Sequence, residues 1–202
     1  MGDAKVTIEH VPEADIERLA QGLATDDLSG VNALFEAQQL PAPTITWNTG
    51  AGDLEIRELR FLRGLWDQLR TDGKLPRTPE LGPELLRPAL GYIMILDVVD
   101  GGADFRYRLY GSRIAQRAGF DATGKLTSEI GPTTFISQFF VACYRAVYRR
   151  EEPLFTAHVP PSKVEVQIWR RLILPLADET GAVYRFLVGN VPGPWRSPRV
   201  ID

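Results

Sequence analysis

One cysteine, Cys143, and two histidines, His10 and His158, are all the soft and imidazole ligands that 202 residues provide. A single thiol excludes an intrachain disulfide framework and any cysteine-cluster zinc site, and two imidazoles are too few for a three-histidine zinc centre. No window approaches the ~18 apolar residues that a bilayer span requires, and residues 1–30 hold no basic segment followed by an apolar run. The expectation is a cytoplasmic protein with a reduced thiol, no metal and no membrane. Surplus positive charge is lacking too: 23 Lys and Arg stand against 26 Asp and Glu, so the chain has no footprint for a nucleic-acid phosphate backbone.

Catalytic signatures are also missing. Gly101-Gly102 falls in a hairpin signal and Gly50-Ala51-Gly52 lacks the spacing of a phosphate loop. There is no Gly-x-Ser-x-Gly elbow. Cys143, His158 and Glu165 could supply a thiol triad, but a cysteine on the apolar face of an aromatic helix reads as a small buried hydrophobe. An enzyme is therefore the remote reading.

What is present is a globular composition, 44% hydrophobic and 24% charged, on a chain long enough to bury roughly 70% of its extended surface. Residues 1–52 carry eight acids against Lys5 and Arg18, a balance of −6, which leaves +3 on the remainder of a chain whose total is −3. The leader is either an acidic lobe against a mildly basic body or a solvated polar segment. Within it, Ile16, Leu19, Ala20 and Leu23, then Leu28, Val31, Leu34 and Phe35, recur at helical spacing. Two such short helices are marginal alone and need a surface to cover their stripes.

Pro41 and Pro43, with Gly50 and Gly52, mark a connector, and helix resumes near Asp53 with Ile56, Leu59, Leu62, Trp66 and Leu69 on one face. Four of the fifteen prolines fall in residues 76–91, which predicts a loop with a short helix. Residues 92–99 form an apolar strand that turns at Asp100-Gly101-Gly102 into Phe105, Tyr107 and Leu109 alternating with Arg106, Arg108 and Tyr110. A glycine-bounded helix over 111–119 follows, and then a long helix over 133–149 bearing Ile136, Phe139, Phe140, Cys143 and Val147. Strands over 154–159, 164–176 and 183–190 finish the body. Tight turns between strands force antiparallel neighbours and exclude a parallel α/β plan, leaving an α+β fold with one sheet covered by helices on one side.

Several of these stretches resemble a known family: the helix with Trp66 and Arg70, Leu75-Pro76-Arg77, Leu96-Asp97-Val98, Phe105-Arg106-Tyr107-Arg108-Leu109-Tyr110-Gly111, Gly119, Thr123-Gly124-Lys125, and Arg170-Arg171-Leu172-Ile173-Leu174-Pro175-Leu176. They are similar to alphaproteobacterial PAS-like proteins over residues 55–190. The resemblance implies a five-stranded antiparallel sheet in spatial order 2-1-5-4-3. It divides the chain into an N-terminal helical extension and connector (1–52), a PAS-like domain (53–191) and a C-terminal tail (192–202).

The resemblance further implies a sensory or regulatory domain in signal transduction, with a small organic ligand or a signalling protein as partner. Flavin-binding PAS sensors place their cysteine in an Asn-Cys-Arg-Phe-Leu context, whereas Cys143 lies between Ala142 and Tyr144. Haem-binding ones commonly use a histidine of the long helix, and residues 133–150 have none. No cofactor is expected.

A ligand pocket would be lined by Phe139, Phe140 and Cys143 of the helix and by Tyr107, Leu109, His158, Trp169 and Arg171 of the sheet, an apolar cup with a few polar groups. Arg170 and Arg171 point to opposite faces, so one faces the helices and needs an anion or a buried acid such as Asp97 or Glu165. The rival class is a docking or dimerisation module with a packed interior. A homodimer joined through the helices of residues 12–37 is expected, because their stripe lies outside the family-like body, and folding back on their own chain is the alternative that would cover the same stripe.

Overall fold

A computed structural model of the chain describes residues 13–77, 81–130, 134–162, 164 and 166–194. Its helices are α1 (Glu13–Ala24), α2 (Ser29–Glu36), α3 (Arg57–Leu69), α4 (Ser112–Ala118) and α5 (Phe135–Arg150). Its strands are β1 (Thr44–Trp47), β2 (Ile93–Val99), β3 (Asp104–Tyr110), β4 (Leu154–His158), β5 (Trp169–Ala177) and β6 (Val183–Pro192). They form one antiparallel sheet in the order β1-β4-β5-β6-β2-β3. Apart from β1, that is the expected 2-1-5-4-3 arrangement.

The sixth strand corrects the reading of residues 41–52 as a plain connector. Thr44-Ile45-Thr46-Trp47 follows Pro41 and Pro43 and zips antiparallel onto β4, with Thr44 opposite Ala157 and Trp47 opposite Leu154. Proline is tolerated at the entry to an edge strand, where no ladder partner waits for its missing N–H. A second correction concerns β5, which was expected from residue 164 and begins at Trp169. Before Trp169 the chain still meets the end of β6 through two backbone bonds outside the regular strand, Gly193 N–H to the Ile168 carbonyl at 2.7 Å and Gln167 N–H to the Pro194 carbonyl at 3.0 Å.

The sheet is covered on both faces, not on one. Ile173 and Val188 face one cluster with Phe139, Cys143 and Val147 of α5, while Leu172, Leu174 and Leu187 face another with Leu59, Leu62 and Trp66 of α3. Strands buried on both sides read as continuous apolar runs, as Leu172–Ala177 does, because alternation has nothing to mark. Trp66 anchors α3: its Nε1 donates to the Pro175 carbonyl at 2.8 Å, and the Arg63 and Arg70 guanidinium groups lie 4.9 Å from its ring centre.

The approach of α3 is set by Gly189, where a β-carbon would fall 2.5 Å from Leu59 and 2.7 Å from Leu62. Gly189→Ala is expected to lower unfolding free energy by about 1–3 kcal/mol through overpacking. A urea midpoint equal to that of wild type would show that α3 can withdraw without loss.

The N-terminal helices fold back on their own chain. Ile16, Ala20, Leu23, Val31 and Phe35 are buried in the cluster with α5. This overturns the argument for a dimer through these helices, since the stripe that was to meet its copy is already spent against α5. The acidic leader is an acidic lobe: Glu17 holds Arg149 through both carboxylate oxygens at 2.7 Å, Asp26 holds Arg150 at 2.9 Å, and Glu13 pairs with Arg145. Glu13 and Glu17 are 70% and 50% exposed, so these pairs orient α1 and add little beside the apolar burial. Among the described residues no helix is long and apolar enough to cross a membrane.

Candidate functional site

Alternation along β5 turns Trp169, Arg171 and Ile173 toward α5 and Leu172, Leu174 and Leu176 toward α3. Arg171 is the inward arginine. It lies between Thr156 of β4 and Asn190 of β6, and one step along the sheet His158 lies opposite Trp169. Thr156, Arg171, Asn190 and His158 are 0%, 4%, 3% and 2% exposed, so a polar row crosses the sheet beneath α5.

The helix lowers four side chains onto that row, because positions 139, 140, 143 and 144 share one face. Thr134 caps α5, its hydroxyl accepting from the Ser137 amide at 3.3 Å, and Glu151 closes it in the left-handed region at φ 57°. Arg171 Nη1 donates to the Tyr144 hydroxyl at 2.9 Å, and Nε reaches Asn190 Oδ1 at 3.5 Å. The guanidinium carbon lies 3.3 Å from the centre of the Phe140 ring and 5.7 Å from that of Tyr144. Phe139, Phe140 and Phe35 of α2 surround the His158 imidazole edge-on at 5.3 to 6.0 Å.

Among the described residues Arg171 pairs with no carboxylate. Asp97, one of the two acids expected for this role, sits on the other face and binds Arg108 at 2.5 Å and Arg185 at 2.6 Å. Glu165, the other, lies outside the described residues. A buried cation compensated only by ring faces and neutral acceptors carries a desolvation cost of several kcal/mol. Two neighbours are also unsatisfied: among the described residues Thr156 Oγ1 and His158 Nδ1 have no hydrogen-bond partner.

Burial, and after it the Arg171 charge, holds His158 down to about 3, so the imidazole is neutral and one of its nitrogens is free to accept. Burial pushes Cys143 up to about 12, against the pull of Arg171, which leaves an inert thiol. The Tyr107, Tyr110 and Tyr144 phenols are likewise raised by burial and stay protonated.

Of the residues expected in the pocket, Tyr107, Phe139, Phe140, Cys143, His158, Trp169 and Arg171 lie on the α5 side of the sheet, and Leu109 does not. Leu96 lies opposite Tyr107 but Ile95 opposite Leu109, so Arg108 is an extra residue that turns Leu109 toward α3. Thr156, Asn190 and Tyr144 were not anticipated. Thr156 could have been, since it shares a face with His158 two residues on.

No curated protein matches the chain. Among solved structures, an RNA-binding light-oxygen-voltage receptor is similar at 14% identity with a TM-score of 0.42, over 89% of this chain and 53% of that one. The chain thus spans about half the length of that protein. A family model described as a PAS domain matches residues 55–189, which takes in α3, α5 and β2 to β5 with most of β6. The chain belongs to the PAS domain family.

Proposed function

We propose that this chain is a sensory or regulatory PAS domain in signal transduction, of the alphaproteobacterial kind its motifs resemble, and that it receives a small organic molecule between α5 and strands β4 to β6. The observation that carries this reading is the buried polar row. In an otherwise apolar layer, Thr156 and His158 each hold a polar atom with no partner among the described residues, beside a cation with no counter-charge among them. An interior selected only for packing would replace such groups, because each costs about 1–3 kcal/mol unsatisfied. A ligand that bonds to them removes that cost.

Phe140 and Tyr110 are only partly buried in this layer, and the proposed entry lies beside them. Native mass spectrometry of protein purified from its own host is expected to retain a small organic species, and Trp169→Ala to lose it with the fold intact by circular dichroism. If wild type retains nothing while a second protein co-purifies, the site is a packed core and the docking reading replaces this one.

A further inference from the structure

The ligand-binding reading leaves open which chemistry the site selects, and the inference that follows rests on that reading. We propose that the molecule is a small organic anion, with its carboxylate on Arg171, Thr156 and His158 and its apolar body against the aromatic side chains of α5.

Three observations converge. First, the Arg171 guanidinium is buried and faces Phe140, Tyr144 and Asn190, none of which carries charge. Five fixed N–H donors make guanidinium the side chain best matched to a planar carboxylate, and two neutral acceptors occupy only part of that fork. Secondly, two orphaned polar atoms share the face of the sheet that carries the guanidinium. Thr156 is the direct cross-strand neighbour of Arg171, and its hydroxyl can donate. The His158 Nδ1 lies in the adjacent row, and a neutral imidazole protonated there donates as well.

Thirdly, the cover is apolar and only partly buried. Phe140 lies across the guanidinium at 3.3 Å yet is only half-buried, in contrast with the fully buried Phe139. A swing of that one ring exposes the charge to an incoming carboxylate while Phe139, Tyr144 and Trp169 remain to hold an apolar or aromatic body. Trading a ring face for an anion replaces the weaker partner of a desolvated cation with the stronger.

The test uses the full chain with benzoate as probe and benzamide as its neutral isostere, read by thermal shift and calorimetry. Benzoate at about 100 times its Kd is expected to raise Tm by about 5–10 °C, and benzamide to leave it unchanged. Arg171→Met should fold, since an apolar residue of similar length suits a buried site, and its benzoate affinity should fall by about 100-fold. Thr156→Val, nearly isosteric, should lose about 5–10-fold, and it stands in if Arg171→Met does not fold. Glu165→Gln should leave Tm unchanged.

Equal responses to benzoate and benzamide would overturn the anion while leaving the ligand site standing. A benzoate response that survives both Arg171→Met and Thr156→Val would place the carboxylate elsewhere and overturn the assignment. No response to benzoate overturns it too, and the ligand reading falls with it only if native mass spectrometry is also empty. A Glu165→Gln loss as deep as that of a core truncation would identify Glu165 as the counter-ion and end the proposal.

Discussion

Phe139→Ala is expected to lower unfolding free energy by about 3–5 kcal/mol. The ring is fully buried and sits where α2, α5 and the sheet meet, its centre 5.1 Å from Phe35, 5.4 Å from Phe140 and 5.8 Å from His158. Truncation removes a large apolar surface from water-free contact and leaves a void that Phe35 and His158, each held by its own element, cannot fill by small movements. Urea denaturation gives the number, and a midpoint shift worth under ~1 kcal/mol would show that α5 does not seat this ring in the core. Phe35→Ala in the same background checks the cis packing of α2. The two rings meet edge to face at 86°, so the double-mutant cycle is expected to show about 0.5–1.5 kcal/mol of coupling. Additive losses would mean that α2 does not rest on α5.

Much of this arrangement could be read from residue order, for identifiable reasons. Hairpin signals such as Asp100-Gly101-Gly102, where φ is 48°, 62° and 89°, left antiparallel neighbours as the only option, whereas the placing of β6 beside β2 was implied by the family resemblance alone. Amphipathic helices are less informative. The α3 pattern shows that one stripe is buried, not against which face of the sheet, and only the unbroken apolar runs of β5 and β6 hinted that both faces are covered.

Period two likewise showed that Arg170 and Arg171 diverge, and the parity of Trp169 and Ile173 decides that Arg171 is the inward one. A rule of strict alternation fails wherever a bulge intervenes. Arg108 is such a residue, and it took Leu109 out of the pocket. The same pairing that fixes Asp97 opposite Arg185 keeps that acid away from Arg171. Pairing across a sheet depends on register, and no single strand carries that information. The landing place of α1 and α2 was equally out of reach, because an apolar stripe does not say whose surface covers it.

Lowering the pH from 7 is expected to destabilise the protein through His158. The folded-state imidazole is held down to about 3, by burial first and by the Arg171 charge second, whereas in the unfolded chain it titrates near 6.5. Between those values the unfolded chain takes up a proton that the folded one refuses, so stability falls as pH falls. The contribution is complete above pH 6.5, is down by about 2 kcal/mol at pH 5, and is down by about 3 kcal/mol at pH 4. The groups that face the ring account for the size of the effect. Phe35 of α2, Phe139 and Phe140 of α5 and Trp169 of β5 supply no charge to stabilise an imidazolium, Cys143 stays protonated, and Arg171 repels it. Carboxylates such as Asp104, held low against its burial by the Ser128 and Thr127 hydroxyls, lose stability in the same direction, so the quantity to measure is a difference. Urea denaturation of wild type and His158→Gln from pH 7 to pH 4 provides it. The variant has a neutral side chain at every pH, and its curve should be the flatter of the two by about 3 kcal/mol across that range. Parallel curves would mean that the imidazole takes its proton in the folded state, and therefore that water or an acid reaches the row beneath α5.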